Sequence, residues 1–341
     1  LGSTILINIR KNNDDNHWTY IPYFTFGYGL ICSILLALFV NTVNTEQDKL
    51  EFLGLSDSNA LYVGEYFKKM RSDIDWVENY LKVKQGFANY EEFSLFAKIF
   101  ANDIERRFCK WLAVVKDDEL LAFENKIKQE KGFENFKITE FRGISNKPVV
   151  RSADKYVPIM YSYPEDEHKK TVGCDYLSEK YRSMVLKDIF KTGLPSVFFP
   201  TDFSLRYLQS CLFVLIPVKN NKNNNIENIF VHVLPLQDLI DKIMAFQSYF
   251  KEDIYFELVD LEQEKGASLI AAYPKNIHYQ QKKTDAGFVV SYPLFLYDRT
   301  ILINCRPSLN FYKKHFNNYY FYMVLGAGVL FTGFIVIFVL F

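Results

Sequence analysis

The sequence predicts an α+β protein in which a long helical stalk and two sheet-containing modules lie between two transmembrane helices. Three observations lead to this prediction: an uncharged apolar segment near each end, a long run with helical periodicity after the first, and a succession of short β-forming runs. Lysine plus arginine and aspartate plus glutamate are balanced at 40 each, so no basic excess indicates nucleic acid as a partner.

Both apolar segments are predicted to cross a membrane. Ile21–Val40 contains no charged residue over 20 positions and Tyr319–Phe341 contains none over 23. Each is long enough to span about 30 Å of hydrocarbon at roughly 1.5 Å per residue. A cleaved signal peptide is the alternative for the first segment, but no small-residue cleavage site follows it. The predicted organisation is an N-terminal segment at 1–20, transmembrane helices at 21–43 and 319–341, and a domain at 44–318.

Small residues form a stripe on each apolar segment. Gly29, Ser33 and Ala37 recur every four residues in the first, and Gly328 and Thr332 repeat this spacing in the second. Small residues allow helices to approach closely, so the stripes are candidate packing faces, either between the two helices or between two protomers.

The domain is predicted to begin with a helical stalk at residues 44–110. Ser56–Asn59 are all good helix N-cap residue types. The apolar residues after them recur mostly at three- and four-residue spacings: Leu61, Tyr62, Phe67, Met70, Ile74, Val77 and Leu81. A second helical run is predicted over Glu91–Trp111 and a third over Asp117–Lys131. The stalk could bury its stripe against the rest of the chain or against a second copy of itself.

Strand, loop, strand and helix signals follow one another in Asp154–Gly193. Tyr156–Tyr161 and Thr171–Cys174 are predicted strands, and a helix is predicted from about Leu177 to Lys191. Gly193 followed by Pro195 is a typical stop for that helix.

Further strands complete two predicted modules, at 111–220 and 226–308. Ser196–Val218 is predicted to form strand, turn and strand, and the asparagine-rich loop Asn220–Asn228 is predicted to separate the modules. The elements predicted for the second module are a strand at Ile229–Leu234, a helix at Leu236–Phe250 and strands at Ile254–Leu261, Ser268–Tyr273, Gly287–Leu296 and Thr300–Asn304.

No constellation of residues in the sequence indicates catalysis. The histidines are scattered, without partners at metal-ligand spacing, and no nucleophile elbow, phosphate-binding glycine loop or dinucleotide fingerprint occurs. We therefore predict no metal, no cofactor and no enzyme activity in this sequence. Cys109, Cys174, Cys211 and Cys305 allow three pairings that their spacing does not select, and most are expected to be buried free thiols.

The block Asp154–Gly193 resembles the core of the CHASE domain, the extracytoplasmic sensory domain of cytokinin receptors and of many bacterial and lower-eukaryote signalling receptors. The matching pieces are Tyr156–Tyr161 with Pro164 after it, Gly173-Cys174-Asp175 with Ser178, and Arg182 leading through Leu186 to Thr192-Gly193. Upstream pieces similar to the first half of that domain are Trp111–Val115, Phe123-Glu124, Gly132-Phe133 and Phe136–Glu140.

This resemblance implies a homodimeric, multi-pass receptor of the cell membrane. In the family, two PAS-like modules stand on a helical stalk outside the cell, and the membrane-distal module holds the ligand. The output is most often a histidine kinase of a two-component system, with diguanylate or adenylate cyclases as alternatives. The chain lacks an initiator methionine and ends inside an apolar run, so the output domain is expected to lie outside this sequence. The alternative prediction is a non-catalytic, membrane-anchored interaction module.

A small-molecule site in the distal module is implied by the same resemblance. In the plant receptors an aspartate and a threonine contact the adenine, and Tyr181 and Leu215 stand at approximately these positions here. Neither replaces a carboxylate acceptor, which argues against cytokinin itself and leaves a small aromatic, apolar or adenine-like ligand as the expectation. The predicted lining is Tyr161, Tyr181, Phe198, Phe199, Phe213 and Leu215, each with hydrophobic core as its alternative role.

Overall fold

The computed structural model describes eleven stretches of the chain. They are residues 16–101, 108–130, 132–140, 147–148, 154–164, 171–199, 211–246, 253–262, 268–274, 288–315 and 318–340. The helices are α1 (Asn16–Lys84), α2 (Tyr90–Ala101), α3 (Leu120–Lys128), α4 (Lys180–Thr192), α5 (Leu236–Phe246), α6 (Leu309–Lys314) and α7 (Tyr319–Leu340). The chain forms two compact units, one of residues 1–57 and 307–341 and the other of residues 58–306.

The strands fall into two larger sheets and two small ones. They are β1 (Phe108–Ala113), β2 (Val115–Lys116), β3 (Thr139–Glu140), β4 (Lys147–Pro148), β5 (Lys155–Tyr156), β6 (Ile159–Tyr163), β7 (Cys174–Asp175), β8 (Ser196–Phe198), β9 (Cys211–Lys219), β10 (Ile226–Pro235), β11 (Ile254–Asp260), β12 (Ser268–Tyr273), β13 (Val290–Leu296) and β14 (Arg299–Pro307). The five-stranded sheet has the order β6-β1-β10-β9-β8 and the four-stranded sheet the order β12-β11-β14-β13.

In the first unit, the apolar part of α1 packs against α7 through small residues. Gly29 faces the side chain of Thr332, and Gly328 faces Ser33, so closely that a Cβ on either glycine would clash. The two hydroxyls donate to carbonyl oxygens of their own helices, Ser33 to Gly29 at 2.7 Å and Thr332 to Gly328 at 2.8 Å. The predicted packing of the two stripes is therefore confirmed, and it occurs within one chain. By length and composition, α1 and the helical segment that includes α7 each qualify to cross a membrane.

α1 continues without a break through the residues that were predicted to start the stalk helix. Ser56 and Asn59 lie inside this helix and are fully buried, so the predicted N-cap there is wrong. N-cap residue types are only a weak preference, and a helix with a continuous buried face passes through them. The predicted apolar stripe of the stalk is buried within the chain at five positions, Phe67, Met70, Ile74, Val77 and Leu81, whereas Leu61 and Tyr62 are exposed.

The helix predicted over Glu91–Trp111 is corrected by the structure. α2 ends at Ala101, and β1 follows within the same predicted run as a central strand of the five-stranded sheet. Five of the six residues of β1 are buried, because helices cover both faces of the sheet. A strand buried on both faces loses the alternation of polar and apolar residues that distinguishes it from a helix.

The predicted module boundary at Asn220–Asn228 is also wrong. β10 follows that loop and pairs antiparallel with both β9 and β1, so it belongs to the five-stranded sheet. The loop is the β9–β10 hairpin connection. Asn224 adopts a φ of 57°, a left-handed conformation that asparagine tolerates better than most residues. The five-stranded sheet therefore includes residues on both sides of that loop and extends to Pro235.

The four-stranded sheet contains the later strands at nearly the predicted positions. α5 follows β10 directly and docks on β12, where the Gln237 side-chain amide donates to Ala272 O at 2.7 Å and accepts from Ala272 N–H at 3.2 Å. The β13–β14 hairpin reaches back to the five-stranded sheet. Its Asp298 carboxylate accepts from the Ser196 hydroxyl at 2.8 Å and from Val197 N–H at 3.1 Å, both on β8. Two polar contacts thus join the sheets.

Candidate ligand site

The helix that covers the candidate site begins and ends with well-formed caps. Glu179 precedes α4, and its carboxylate accepts from the backbone N–H of Tyr181 at 3.1 Å and of Arg182 at 2.9 Å. At the other end Gly193 adopts a φ of 67° and donates to Ile189 O at 2.7 Å. These caps fix the length of α4, and the predicted glycine stop is confirmed.

The segment before α4 is fastened to the sheet by Gly173 and Asp175. Gly173 has a φ of 85° and donates to Ile159 O at 2.8 Å, and a Cβ there would clash with the backbone oxygen of Lys137. The buried Asp175 carboxylate accepts from Val157 N–H at 2.8 Å and from Leu177 N–H at 3.0 Å. The Gly173-Cys174-Asp175 sequence is therefore needed for local geometry.

One face of the five-stranded sheet packs against α4. Residues opposite one another in an antiparallel pair share a face, and Lys110 pairs with Ser162 on β6 and with Val231 on β10, which in turn pairs with Leu215 on β9. We call this surface the α4 face. The buried apolar cluster that α4 forms with it includes Leu112, Val157, Ile159, Cys174, Tyr176, Val185, Leu186, Ile189, Phe198, Cys211, Phe213, Leu215, Ile229, Val231 and Val233.

Three of the predicted lining residues come together on the α4 face. Phe198 and Phe213 stack with ring centroids 4.8 Å apart, and Leu215 is fully buried in the same cluster. Phe199 is buried directly after β8, and Tyr181 is partly buried in the first turn of α4. Their assignment to a ligand site stays a prediction.

Tyr161 lies on the opposite face of the sheet, which α2 covers. Its hydroxyl donates to Glu130 at 2.6 Å, and its ring centroid lies 5.7 Å from those of Tyr90, Phe93 and Phe133. Burial, together with the hydrogen bond and negative charge of Glu130, raises the pKa of Tyr161 well above its usual range. The structure therefore separates Tyr161 from the other predicted site residues.

Lys110 is a polar residue of the α4 face that the sequence analysis missed. Only 5% of its surface is exposed. Its pKa is lowered from 10.5 to about 7, mainly by burial and then by the nearby positive charge of Arg182, while Cys174 and Cys211 oppose the shift. The sequence signal for this residue is a charged lysine within the otherwise apolar run Phe108–Ala113, which indicates a buried charge.

Arg182 and two hydroxyl groups accompany Lys110. The buried Arg182 guanidinium lies 4.6 Å from the ring centre of Tyr176, and its Nε is 3.8 Å from Glu179 Oε2. Burial raises the pKa of Tyr176 to about 12. The hydroxyls of Tyr176 and Ser162 are buried without a hydrogen-bond partner in the described part of the chain. We call Lys110, Ser162, Tyr176 and Arg182 the cationic cluster.

Within the stretches that the structure describes, one group has the residue types of a metal site. Asp48, Glu51 and His315, in the first unit, place their ligand atoms within 4.8 Å of one another. His315 Nδ1 lies 3.3 Å from Asp48 Oδ1 and 3.6 Å from Glu51 Oε2, distances that suit a histidine held between carboxylates. Nothing beyond these residue types points to a metal.

The architecture is that of an α+β domain with charged and hydroxyl groups enclosed in the apolar core beneath one helix. Buried charge is costly, and groups with perturbed pKa values cluster at functional sites, so we treat this arrangement as the candidate ligand site. Residues 88–270 match the family model of the CHASE domain. That match covers more than half of the chain and the whole five-stranded sheet, so the chain belongs to the CHASE domain family. Its membership supports a sensing role in a receptor.

Two solved structures match this chain at low sequence identity. An extracellular ligand binding receptor from Desulfohalobium retbaense DSM5692 is 10% identical with a TM-score of 0.46, over 75% of this chain and 40% of that one. The periplasmic sensory domain of the Campylobacter jejuni chemoreceptor Tlp1 is 13% identical with a TM-score of 0.48, over 80% of this chain and 98% of that one. The chain thus spans less than half of the Desulfohalobium receptor. A search of curated proteins finds no match.

Proposed function

We propose that the chain is the ligand-sensing and membrane-anchoring region of a transmembrane receptor. The observation that carries this proposal is the cationic cluster in the CHASE region. A buried ammonium with a pKa of about 7 destabilises the fold, and such groups are retained where they bind something. The apolar stretches of α1 and α7, which flank the domain in sequence, supply the two proposed spans.

The ligand is proposed to bind between α4 and the five-stranded sheet and to signal through the four-stranded sheet. β8 borders this face with Phe198, and it is hydrogen-bonded to Asp298 of the β13–β14 hairpin. β14 ends at Pro307 and is followed along the chain by α6 and then by α7, which begins at Tyr319. Ligand binding can shift the receptor only by its differential affinity for two states, so a displacement of β8 is the proposed difference.

A homodimer is proposed through the outer side of α1. Tyr62, Trp76 and Val83 are exposed there at multiples of seven residues, outside the buried stripe of the same helix. Residues at that spacing lie along the same side of α1, where they can contact α1 of a second protomer. Substitution of Val83→Glu is expected to convert the dimer to a monomer in light scattering of the detergent-solubilised chain, and Lys82→Glu serves as the neighbouring control.

The proposed output is a histidine kinase of a two-component system, with a nucleotide cyclase as the second candidate. Sequencing of the gene beyond the codon for Phe341 tests it. A phosphoacceptor helix and an ATP-binding domain are expected, and a stop codon at that point would contradict the proposal.

The extracytoplasmic location can be tested with one introduced cysteine. Asn221 is exposed on the β9–β10 loop, while Cys109, Cys174, Cys211 and Cys305 are buried. In a chain with Cys32→Ser, Asn221→Cys is expected to react with a membrane-impermeant maleimide in intact cells. Reaction only after lysis would place the domain inside the cell.

Ligand binding is tested by thermal unfolding of the 341-residue chain in nonionic detergent. A library of neutral aromatic, cationic and anionic metabolites is screened, and a ligand present at 100 times its Kd stabilises the folded state by about 2.7 kcal/mol. At least one saturable shift is expected. A chain that unfolds cooperatively but responds to no compound of any class would contradict the receptor proposal.

A further inference from the structure

The charge of Lys110 is not neutralised within the described part of the chain. No ion pair or hydrogen bond joins its ammonium to a residue there, and the positive charge of Arg182 faces it from α4. Arg182 itself has Glu179 beside it. The α4 face therefore holds a buried lysine that needs an anion, as isolated buried charges do.

Two buried hydroxyls lie near this ammonium. Ser162 is directly opposite Lys110 across the β1–β6 pair, and Tyr176 shares Arg182 and Cys174 with Lys110 as its electrostatic neighbours. Both hydroxyls lack a partner in the described stretches. An ammonium and two hydroxyls supply several donors, which is more than any neutral apolar ligand would use.

We propose that the ligand of this receptor carries a carboxylate, which binds to the Lys110 ammonium and to the hydroxyls of Ser162 and Tyr176, next to Arg182. This inference rests on the proposed function and narrows it to one ligand class. A carboxylate brings one negative charge to one unneutralised cation, whereas a phosphate dianion would leave a second buried negative charge without a partner. An uncharged ligand would leave the charge of the Lys110 ammonium without a counterion.

The rest of the ligand is apolar. The neighbours of the cationic cluster on the α4 face are aromatic and aliphatic, among them Phe213, Leu215 and Val231. An organic monocarboxylate with a small aromatic or branched aliphatic body fits both the cationic cluster and its apolar neighbours. The apolar body matches the small aromatic or apolar ligand that the sequence analysis predicts, and the carboxylate is added to that prediction.

The pH dependence of binding follows from Lys110. Only its protonated form attracts the carboxylate, and Arg182, Cys174 and Cys211 are the titratable or charged groups that face it. With a pKa of about 7, the protonated fraction falls about tenfold between pH 6 and pH 8, and the apparent affinity falls with it.

The experiment compares matched acids and amides by titration calorimetry on the 341-residue chain in nonionic detergent. Its probes are phenylacetate with phenylacetamide, 3-methylbutanoate with its amide, and inorganic phosphate. We expect at least one acid to bind saturably, its amide to bind at least tenfold more weakly, and its affinity to fall about tenfold from pH 6 to pH 8. Lys110→Met is expected to weaken acid binding by tenfold or more, and Lys187→Met, on the exposed side of α4, to leave it unchanged.

The outcomes separate this inference from the proposed function. Equal binding of acid and amide, or unchanged acid binding by Lys110→Met, would overturn the carboxylate assignment and leave the receptor proposal standing. Preferential binding of inorganic phosphate would overturn it as well. If Lys110→Met does not fold, Ser162→Ala is used, with a several-fold loss expected for the acid and none for the amide. Absence of binding by these probes and by the whole screening library would remove the proposed function together with the inference.

Discussion

Replacement of Lys110 by methionine is expected to stabilise the empty protein, although it removes a residue of the candidate site. The lysine is 5% exposed and lies in an apolar cluster beside Arg182. Methionine has a similar length, fills the same space and needs no partner for a charge. Functional groups that destabilise a fold in this way are common in binding sites.

The size of the effect follows from the two pKa values of Lys110. The pKa is 10.5 in the unfolded chain and about 7 in the folded chain. At pH 7 the lysine of the unfolded chain is protonated, whereas the lysine of the folded chain is protonated about half of the time. The difference between its two pKa values lowers the free energy of unfolding by about 4 kcal/mol at this pH. The methionine side chain does not repack perfectly in place of lysine. Lys110→Met is therefore expected to raise the free energy of unfolding by roughly 2–4 kcal/mol.

The same pKa values predict how this difference changes with pH. The destabilisation by Lys110 is complete below pH 7 and disappears as the pH rises towards 10.5, because the unfolded lysine then loses its proton as well. From pH 7 to pH 9 the difference in free energy of unfolding between Lys110→Met and the wild type should decrease by about 2 kcal/mol. Titrating groups that do not interact with Lys110, such as Tyr161 on the α2 side, are present in both proteins and cancel.

Urea unfolding of the 341-residue chain in nonionic detergent measures this prediction, with fluorescence of the buried Trp111 as one reporter. Lys187→Met, on the exposed side of α4, is the control and should stay within about 0.5 kcal/mol of the wild type. A variant that is less stable than the wild type at pH 7, or whose stability changes with pH as the wild type's does, would refute the reasoning. Lys110 would then have an anionic partner within the protein.

Three further substitutions test the geometry around the site. Gly173→Ala is expected to lower the free energy of unfolding by more than about 2 kcal/mol, because its φ of 85° and a facing carbonyl oxygen both oppose a Cβ. Asp298→Ala removes the acceptor of Val197 N–H and should cost roughly 2 kcal/mol in urea unfolding. Tyr161→Phe removes the hydrogen bond to Glu130 and should cost about 1 kcal/mol, yet leave the affinity for an acid ligand unchanged in calorimetry, because it lies on the α2 side.

Each of these substitutions has a comparison that isolates its cause. Gly132→Ala shares a positive φ, of 92°, but has open space around the new Cβ, so equal losses at both glycines would exclude the carbonyl clash. Asp118→Ala changes an exposed aspartate, and a similar loss there would remove any special role for Asp298. A tenfold loss of ligand affinity in Tyr161→Phe would move the ligand to the other face of the sheet.

Much of the fold could be predicted because its signals are local. The α5 helix, the strands β11–β14 and the glycine stop of α4 lie close to their predicted positions, since alternation, helical periodicity and turn residues act over a few neighbours. The errors arose where a local signal was ambiguous. β1 is buried on both faces and carries no alternation, so its sequence pattern predicts the end of a helix.

The sequence by itself determined the two apolar helices, the α+β class and the family, because length, charge and motif order are properties of the chain. It also supplied the apolar residues of the core. Only the tertiary structure decided which of them share a face. Lys110 meets Ser162 through the register of two strands far apart in sequence, and the same pairing directs Tyr161 to the opposite side. Successive side chains of a strand point to opposite faces, so a register set by long-range hydrogen bonds selects which residues form the site.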